Sequence, residues 1–524
     1  MTKRICVIGA GAAGLVTAKH AVRDGYEIDV FEQTGKVGGT WVYSEETGCH
    51  SSMYKVLKTN LPKEAMLFQD VPFREDLPSF MTHEDVLEYL EEYSNDLPIQ
   101  FNTTVVDVRR EEPNWKVIVE TNSTRSEHIY DVVFVCNGHF FEPLNTYKGT
   151  VFRGKIVHSH DYRRAEHYTG KNVVIIGAGP SGIDICLQVA QTAKRVTLIS
   201  KKATYPVLPD TVHQVASHVK LVDEDGVVTT EGQHFDADVI IVCTGYVFKF
   251  PFLDSSLVQL KYNDLMVSPL YAHLCHVDHP KTLFFIGLPL GTITFPLFEV
   301  QVKYALSLIA GKGKLPTDGE IREFEDVRIG VLQNPGAFHV IIEEQWDYMK
   351  QLAEMGGFPE WDFMETIRKL YCYIMTERRK NVIGYKSVNF ELTPDSTDFK
   401  VINLIFPSLF HFPPSLRIYR IPETLYYVLV VPFVVHVIRE NPLSVERFRK
   451  IRIEIQHNQP VCWDEEARKS SQYICLEGHS RFENLPILLA TLVYPSMAPR
   501  SSDYREEEED ARCEEEEEEY AIEI

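Results

Sequence analysis

The sequence predicts an α/β protein with two Rossmann-type β-α-β units, followed by an irregular C-terminal extension. GxGxxG turns at residues 9–14 and 177–182 support this prediction, because each turn follows an apolar strand and opens a helix. The second unit is a small insertion in the chain of the first, since only about 40 residues separate its second strand from the next buried strand. Two such units predict two bound nucleotides.

Length, charge and cysteine content narrow the class of protein. A chain of 524 residues is long enough for roughly two or three domains. Part of the net charge of −22 lies in an acidic run near the C-terminus, and the mildly acidic remainder argues against nucleic acid as a partner. Ten cysteines without a CxxC pair predict a reducing compartment, and the N-terminus leaves no room for a signal peptide. No metal site is predicted.

The first unit runs from the strand ICVIG to the strand EIDVFE. Its three glycines allow a tight turn, close approach of a pyrophosphate and close helix–strand packing. The carboxylate of Glu32 would accept hydrogen bonds from ribose hydroxyls and repel a 2′-phosphate, which suits FAD or NAD rather than NADP. Gly38 and Gly39, which follow, continue a pattern of flavoproteins in which the backbone passes close to the flavin phosphates. This pattern favours FAD over NAD at the first site. The residues predicted to bind FAD are Gly9, Gly11, Gly14, Glu32, Gly38, Gly39, Thr40, Trp41 and Asn60.

Asn60 lies in the segment TNLPKEAMLF, where Pro62 restricts the nearby backbone to extended conformations. Two interpretations are open: a turn-forming asparagine, or an amide placed over the flavin. The helix that follows is predicted to be capped by Thr82 and is assigned structure only.

The second unit differs from the first at the end of its second strand. Lys201 and Lys202 stand where the first unit has Glu32, and cationic side chains there would pair with a 2′-phosphate. This site is therefore predicted to bind NADPH; the alternative is that both lysines are solvated surface residues. The residues predicted to bind NADPH are Gly177, Gly179, Ser181, Gly182, Ser200, Lys201, Lys202, Thr244 and Gly245.

The order of these segments predicts a glutathione-reductase-like arrangement. Residues 1–160 and 245–393 form the FAD-binding domain, and residues 161–244 form the inserted NADPH-binding domain. The stretch FRGKIVHSHDY, residues 152–162, connects the two nucleotide sites.

The C-terminal part has a different character. Residues 394–500 form an apolar, aromatic and proline-rich extension that packs on the core, contacts a membrane surface, or is poorly ordered. Its segment 424–438 is too short for a spanning helix. Residues 501–524 are acidic and predicted to be disordered.

These motifs resemble those of the flavin-containing monooxygenases. The linker fits that family's FxGxxxHxxx(Y/F) signature through Phe152, Gly154, His158 and Tyr162, and the segments TNLPKEAMLF, VCNGHF and CTGY also match. The resemblance implies that NADPH reduces FAD, that O2 forms a C4a-hydroperoxyflavin, and that this species oxygenates amines or sulfides. It also implies that Asn60 is the catalytic residue, whereas the four linker residues organise the domain junction.

Alternative functions remain open at this point. Baeyer–Villiger-type ketone oxygenases usually carry Trp and a Pro or Asp at the end of the linker signature, so Tyr162 favours nitrogen and sulfur oxygenation without excluding ketone oxidation. An uncoupled NADPH oxidase that releases H2O2 is the other alternative. The expected partners are a small nucleophilic substrate and O2, with peripheral membrane contact through the C-terminal apolar segment as an alternative and a homodimer compatible with the sequence. The expected location is the cytoplasm or the cytoplasmic face of the endoplasmic reticulum.

Overall fold

The computed structural model describes residues 2–48, 50–144, 147, 150–393, 395 and 397–403, together with three later strands. Those strands, β23 (Phe433–Val437), β24 (Arg452–His457) and β25 (Gln472–Cys475), form an antiparallel sheet in that order. Most of the C-terminal extension and all of the acidic tail lie outside the described residues, so the alternatives for them stay predictions. Within the part of the chain that is described, no helix is long and apolar enough to cross a membrane.

A seven-stranded sheet carries the first glycine-rich turn. From β20 to β3 the strands run parallel, and β18 and β19 extend one edge antiparallel. In spatial order the strands are β18 (Leu270–Tyr271), β19 (Cys275–His276), β20 (Leu283–Phe285), β7 (Val132–Val135), β1 (Arg4–Ile8), β2 (Glu27–Phe31) and β3 (Ile99–Gln100).

The two faces of this sheet are covered by different elements. Ile5 and Val7 of β1 belong to the core formed with helices α1 (Ala12–Arg23) and α4 (Thr294–Ile309). Cys6 and Ile8 face the opposite core, which is closed by the meander β4 (Thr103–Glu111), β5 (Asn114–Thr121) and β6 (Thr124–Tyr130). Because both faces are buried, β1 reads as a continuous apolar run rather than an alternating one.

A five-stranded parallel sheet carries the second glycine-rich turn. The helix α3 (Pro180–Val189) follows this turn. The first strand of this sheet lies ahead of the predicted boundary at residue 161, so part of the linker belongs to the sheet itself. In spatial order the strands are β11 (Val212–Ala216), β10 (Arg195–Ser200), β9 (Asn172–Ile176), β15 (Val239–Val242) and β8 (Lys155–His158).

The second sheet repeats the layering of the first. Val173 and Ile175 of β9 face α3, whereas Val174 and Ile176 face a three-stranded antiparallel sheet. That sheet consists of β12 (Val219–Val222), β13 (Gly226–Thr229) and β14 (His234–Asp236). The predicted α/β fold with two Rossmann-type units is confirmed.

The remaining elements complete the larger part of the fold. Thr82 caps α2 as predicted, through a capping box with Asp85. The other described elements are α2 (His83–Tyr93), β16 (Gln259–Lys261), β17 (Met266–Ser268), α5 (Asp318–Val331), α6 (Glu344–Gly356), α7 (Met364–Lys380), β21 (Val388–Leu392) and β22 (Phe399–Asn403).

A buried carboxylate ties α1 to α4. Glu299 is 1% exposed, and its carboxylate lies 3.3 Å from His20 Nε2 and 2.8 Å from Lys303 Nζ. It also accepts a hydrogen bond of 2.7 Å from the main-chain N–H of Gln69. Burial alone would raise the pKa of Glu299, but the His20 ring, the Lys303 ammonium and the Gln69 amide together lower it to about 2.

We expect Glu299→Gln to destabilise the protein most near neutral pH. The native pKa of about 2 lies below the value of about 4.3 for an unfolded chain. The ionised carboxylate therefore contributes stability that is fully present above the unfolded pKa and is lost as the pH falls through the native pKa. Urea unfolding of parent and variant at about pH 6, 4 and 3 should show a difference in unfolding free energy that shrinks on acidification. Glu354→Gln, at an exposed position on α6, is the control; a difference independent of pH would contradict the prediction.

Candidate cofactor sites and active site

The first glycine-rich turn leaves no room for side chains at two of its glycines. Gly9 has a φ of 102°, and a Cβ there would lie 2.6 Å from the carbonyl oxygen of Cys136. A Cβ on Gly14 would lie 1.9 Å from the carbonyl oxygen of Gly9, because helix α1 packs directly against the turn. These contacts provide the tight turn and the close packing that a dinucleotide site requires.

The predicted glycine pair lies beside this turn. A Cβ on Gly39 would be 3.1 Å from the Cα of Gly11, so the two segments approach backbone to backbone. Thr40 Oγ1 lies 3.4 Å from Ser52 Oγ, and the Trp41 ring packs edge-on against Phe295 at 6.4 Å. Gly38 is in the left-handed region, with a φ of 113°.

Glu32 is held by the turn rather than left in solvent. It is 7% exposed, and its carboxylate accepts hydrogen bonds of 2.9 Å from Ala10 N and 2.8 Å from both the N–H and the hydroxyl of Thr34. A carboxylate has about four acceptor positions, so these three donors leave one for a ribose hydroxyl. Glu32 can therefore accept the predicted hydrogen bond from a ribose hydroxyl while it also holds the turn through Ala10 and Thr34.

The second turn repeats this geometry with one difference. Gly177 has a φ of 101°, and a Cβ on Gly182 would lie 2.0 Å from the Gly177 carbonyl oxygen. A Cβ on Gly179 would meet nothing within 4 Å, so the N-terminal end of α3 is open where a phosphate would approach. Ser181 is the second residue of this helix.

The predicted 2′-phosphate contacts lie at the end of β10. Lys201 and Lys202 are exposed, and Ser200 Oγ donates to the carbonyl oxygen of Lys202 at 2.6 Å. Because β10 lies next to β9 in the sheet, its carboxyl end is adjacent to the glycine-rich turn. The two lysines are thus placed as the NADPH prediction requires, while their contact with a nucleotide stays a prediction.

The CTGY motif lies where the chain returns from the second unit to the first. Thr244 Oγ1 donates to the carbonyl oxygen of Leu144 at 3.3 Å, and Leu144 N donates to the carbonyl oxygen of Gly245 at 3.1 Å. Tyr246 pairs with Pro143 across an antiparallel bridge. The outgoing and returning chains therefore lie side by side at the junction.

The linker motif makes structural contacts. A Cβ on Gly154 would clash with the Phe152 ring at 2.5 Å and the Asp238 carbonyl oxygen at 2.4 Å, which explains the FxG pairing. His158 Nδ1 accepts from His160 N at 3.1 Å, and the His158 ring packs edge-on against Tyr246.

Tyr162 connects this linker to the second unit. It is completely buried, and its hydroxyl donates to Gln188 Oε1 of α3 at 3.0 Å. Its ring packs against Tyr54 at 5.5 Å and stacks on Tyr168 at 5.7 Å. These are the contacts that a role in organising the junction requires.

Sequence reasoning missed a buried arginine directly after the motif. Arg163 is 2% exposed, and its guanidinium donates to the carbonyl oxygens of Glu46 and His160 at 2.7 Å each, of Tyr162 at 3.0 Å and of Ser51 at 3.3 Å. It therefore joins the linker to the loop that leads to Asn60. The only sequence signal is its position next to the motif.

Asn60 lies at the end of that loop and is half-buried. Its Oδ1 accepts a hydrogen bond of 3.3 Å from the hydroxyl of Tyr385, a residue more than 300 positions later in the chain. Sequence reasoning did not foresee this contact, because nothing in a single sequence links two positions so far apart.

A second unforeseen group lies on α3. Asp184 accepts hydrogen bonds from the Tyr54 hydroxyl at 2.5 Å, from Gln188 Nε2 at 3.1 Å and from Lys386 Nζ at 3.2 Å. Burial lowers the pKa of the Lys386 ammonium, although Asp184 opposes the effect. Asp184 thus links the Asn60 loop, the second nucleotide site and the segment after α7.

The two sites define a protein that holds two dinucleotides on one chain, an arrangement typical of nicotinamide-dependent flavoproteins. A profile of the flavin-binding monooxygenase-like family matches residues 2–213 and 206–360, and the chain belongs to this family. It is accordingly a flavoprotein monooxygenase, an oxidoreductase that uses FAD and NADPH.

Individual relatives agree with this assignment. Flavin-containing monooxygenase FMO GS-OX-like 2 of Arabidopsis thaliana is 32% identical over 422 residues, which cover 72% of this chain and 89% of the relative. The solved structure of S-allyl-L-cysteine S-oxygenase from Allium sativum is 33% identical with a TM-score of 0.68, covering 74% of this chain and 95% of that one. Tmm from Pelagibacter sp. strain HTCC7211 is 30% identical with a TM-score of 0.67, covering 76% and 96%.

We expect Arg163→Ala to destabilise the protein by on the order of 3 kcal/mol, because it leaves buried carbonyl oxygens without donors. Arg164→Ala is a matched control, since the neighbouring arginine makes a partly exposed ion pair of 2.9 Å with Glu45 and should cost under about 1 kcal/mol. Urea unfolding of both apoproteins measures the difference. Equal destabilisation by the two variants would show that Arg163 is not a special anchor.

Proposed function

We propose that this monooxygenase transfers one oxygen atom from O2 to the sulfur or nitrogen of small soft nucleophiles such as sulfides and amines. One observation carries the proposal: the loop that bears Asn60 is fixed to both nucleotide-binding units at once. The similarity to S-allyl-L-cysteine S-oxygenase over nearly the whole of that chain supports sulfur as an acceptor.

The loop contacts each unit through named hydrogen bonds. On the side of the first unit, Ser51 Oγ donates to the carbonyl oxygen of Thr40 at 3.1 Å. On the side of the second unit, the Tyr54 hydroxyl donates to Asp184 of α3 at 2.5 Å. These contacts support the proposal, because they tie the loop that bears Asn60 to both units that carry a glycine-rich turn.

The residues present suit one cofactor at each turn. Residues 9–14 with Glu32 would hold FAD, and residues 177–182 with Lys201 and Lys202 would hold NADPH, which follows from the opposite charges at the two strand ends. When bound, the flavin takes up reducing equivalents from the nicotinamide and activates O2. The task left to the protein is to bind, orient and exclude water.

The polar side chains near the junction fit this task. Asn60 is a neutral amide that can donate hydrogen bonds but cannot transfer a proton. His158 is also neutral at physiological pH, because burial lowers its pKa to about 4. Asn60 and His158 therefore offer hydrogen bonding without supplying a proton, a suitable setting for oxygen transfer to a nucleophile.

The reaction is tested by product analysis of the purified holoenzyme with NADPH and 18O2. We expect thioanisole to give labelled sulfoxide or N,N-dimethylaniline to give labelled N-oxide, with little ester from cyclohexanone. Ester as the main product would replace the proposal with ketone oxygenation. NADPH consumption that yields only H2O2 with all three substrates would show an uncoupled oxidase.

We expect Asn60→Ala to raise the share of consumed NADPH that appears as H2O2 by about tenfold, since a hydrogen bond to the reacting centre is worth more than an ordinary one. Asn60→Asp keeps the shape but removes the N–H donors, and it should behave like the alanine variant. Asn95→Ala, at an exposed position after α2, is the control. Parent-like coupling in both Asn60 variants would exclude the proposed role of this residue.

A further inference from the structure

We propose that Tyr385 is a positioning residue that fixes the orientation of the Asn60 side-chain amide. The inference rests on the proposed function of Asn60 and concerns how that function is maintained. The Tyr385 hydroxyl donates to Asn60 Oδ1 at 3.3 Å. Among the residues that the structure describes, none accepts a hydrogen bond from Asn60 Nδ2. The amide thus has its oxygen occupied and both N–H groups available.

The backbone around Asn60 is fixed without Tyr385. Thr59 N donates to the carbonyl oxygen of Met81 at 2.8 Å, and Lys63 N donates to the carbonyl oxygen of Ser79 at 2.7 Å. Both flanks of Asn60 are therefore held against the same segment. Loss of the Tyr385 hydroxyl would release the rotation of the amide rather than the course of the chain.

Tyr385 is itself rigidly placed. It is 7% exposed, its ring packs edge-on against Phe80 at 5.4 Å, and its main-chain N–H donates to the Asn381 carbonyl oxygen at 3.1 Å. Lys386 Nζ lies 5.6 Å from the centre of the ring, within cation–π range. A buried ring held on three sides directs its hydroxyl to one place.

The segment that carries Tyr385 is anchored to the second nucleotide site. Lys386 Nζ donates to the carbonyl oxygen of Lys58 at 3.0 Å and to Asp184 Oδ1 of α3 at 3.2 Å. The same carboxylate accepts from Tyr54, at the start of the Asn60 loop. These contacts thus fix the Tyr385 hydroxyl relative to α3, the helix whose N-terminus would bind the phosphates of NADPH.

The orientation matters because an asparagine amide presents either a donor or an acceptor. With Oδ1 bound to Tyr385, the N–H groups would be left to donate to a bound flavin. A rotation by about 180° would present the Oδ1 lone pairs instead, which would repel an electron-rich oxygen. In the structure the Tyr385 hydroxyl donates to Oδ1 and so holds the amide in the first of these two states of nearly equal shape.

The test is Tyr385→Phe, alone and combined with Asn60→Ala, in the holoenzyme. The phenyl ring preserves the packing against Phe80. We expect the share of consumed NADPH that appears as H2O2 to rise about fivefold, with little change in the substrate KM. In the Asn60→Ala background the same substitution should add nothing, since an interaction that acts through Asn60 vanishes with it. Tyr373→Phe, on a partly exposed ring of α7 that packs against Phe390, is the control.

A neutron crystal structure of the Tyr385→Phe apoprotein distinguishes the amide oxygen from the nitrogen and gives a readout independent of turnover. We expect Asn60 to lose its single amide orientation while residues 59–63 keep their backbone course. Parent-like coupling in Tyr385→Phe, with strong uncoupling in Asn60→Ala, would overturn this inference and leave the proposed function intact. An equal rise in both backgrounds would show that Tyr385 acts by general stabilisation and would also overturn it. Parent-like coupling in Asn60→Ala would exclude the role of Asn60 and this inference together.

Discussion

The buried guanidinium of Arg163 is the interaction on which the junction depends. A charge that is 2% exposed is costly to bury unless hydrogen bonds replace the lost hydration. Arg163 meets this condition with main-chain carbonyls from the loop at residues 46–51 and from its own linker. Because the acceptors in both segments are main-chain carbonyls, Arg163 fixes the course of the backbone in the loop and in the linker. This contact therefore positions the segment that leads to Asn60.

The two nucleotide sites share the same backbone geometry at their glycine-rich turns. Both turns use a positive-φ glycine against a strand-end carbonyl and a helix glycine with no room for a Cβ. The difference lies at the end of the second strand, where one unit has the buried Glu32 and the other has two exposed lysines. The packing is therefore repeated, and the two sites differ in the charge at the strand end, on which the predicted preference for a ribose hydroxyl or a 2′-phosphate rests.

The fold and the cofactor turns could be predicted because their causes are local. Strand burial, glycine spacing and the Thr82 cap each depend on neighbours within a few residues of the chain. The contact of Asn60 with Tyr385 could not be predicted, since the two residues lie more than 300 positions apart in the chain. Arg163 was missed for a different reason: an arginine beside a polar motif looks like a surface residue until its carbonyl partners are known.

A neutral, oriented amide suits the role proposed for Asn60 better than a charged group would. Burial keeps His158 neutral. Asp184 and Lys386 are paired with each other, Lys386 also donates to a main-chain carbonyl oxygen, and Asp184 also accepts from a phenol hydroxyl. An unpaired charge at this place would attract water and protons, which the proposed oxygen transfer must exclude. An amide avoids that problem. Its oxygen accepts hydrogen bonds and its nitrogen donates them, but its two orientations have nearly the same shape. The orientation must therefore come from outside the residue, and a phenol held by a buried ring supplies it at little electrostatic cost.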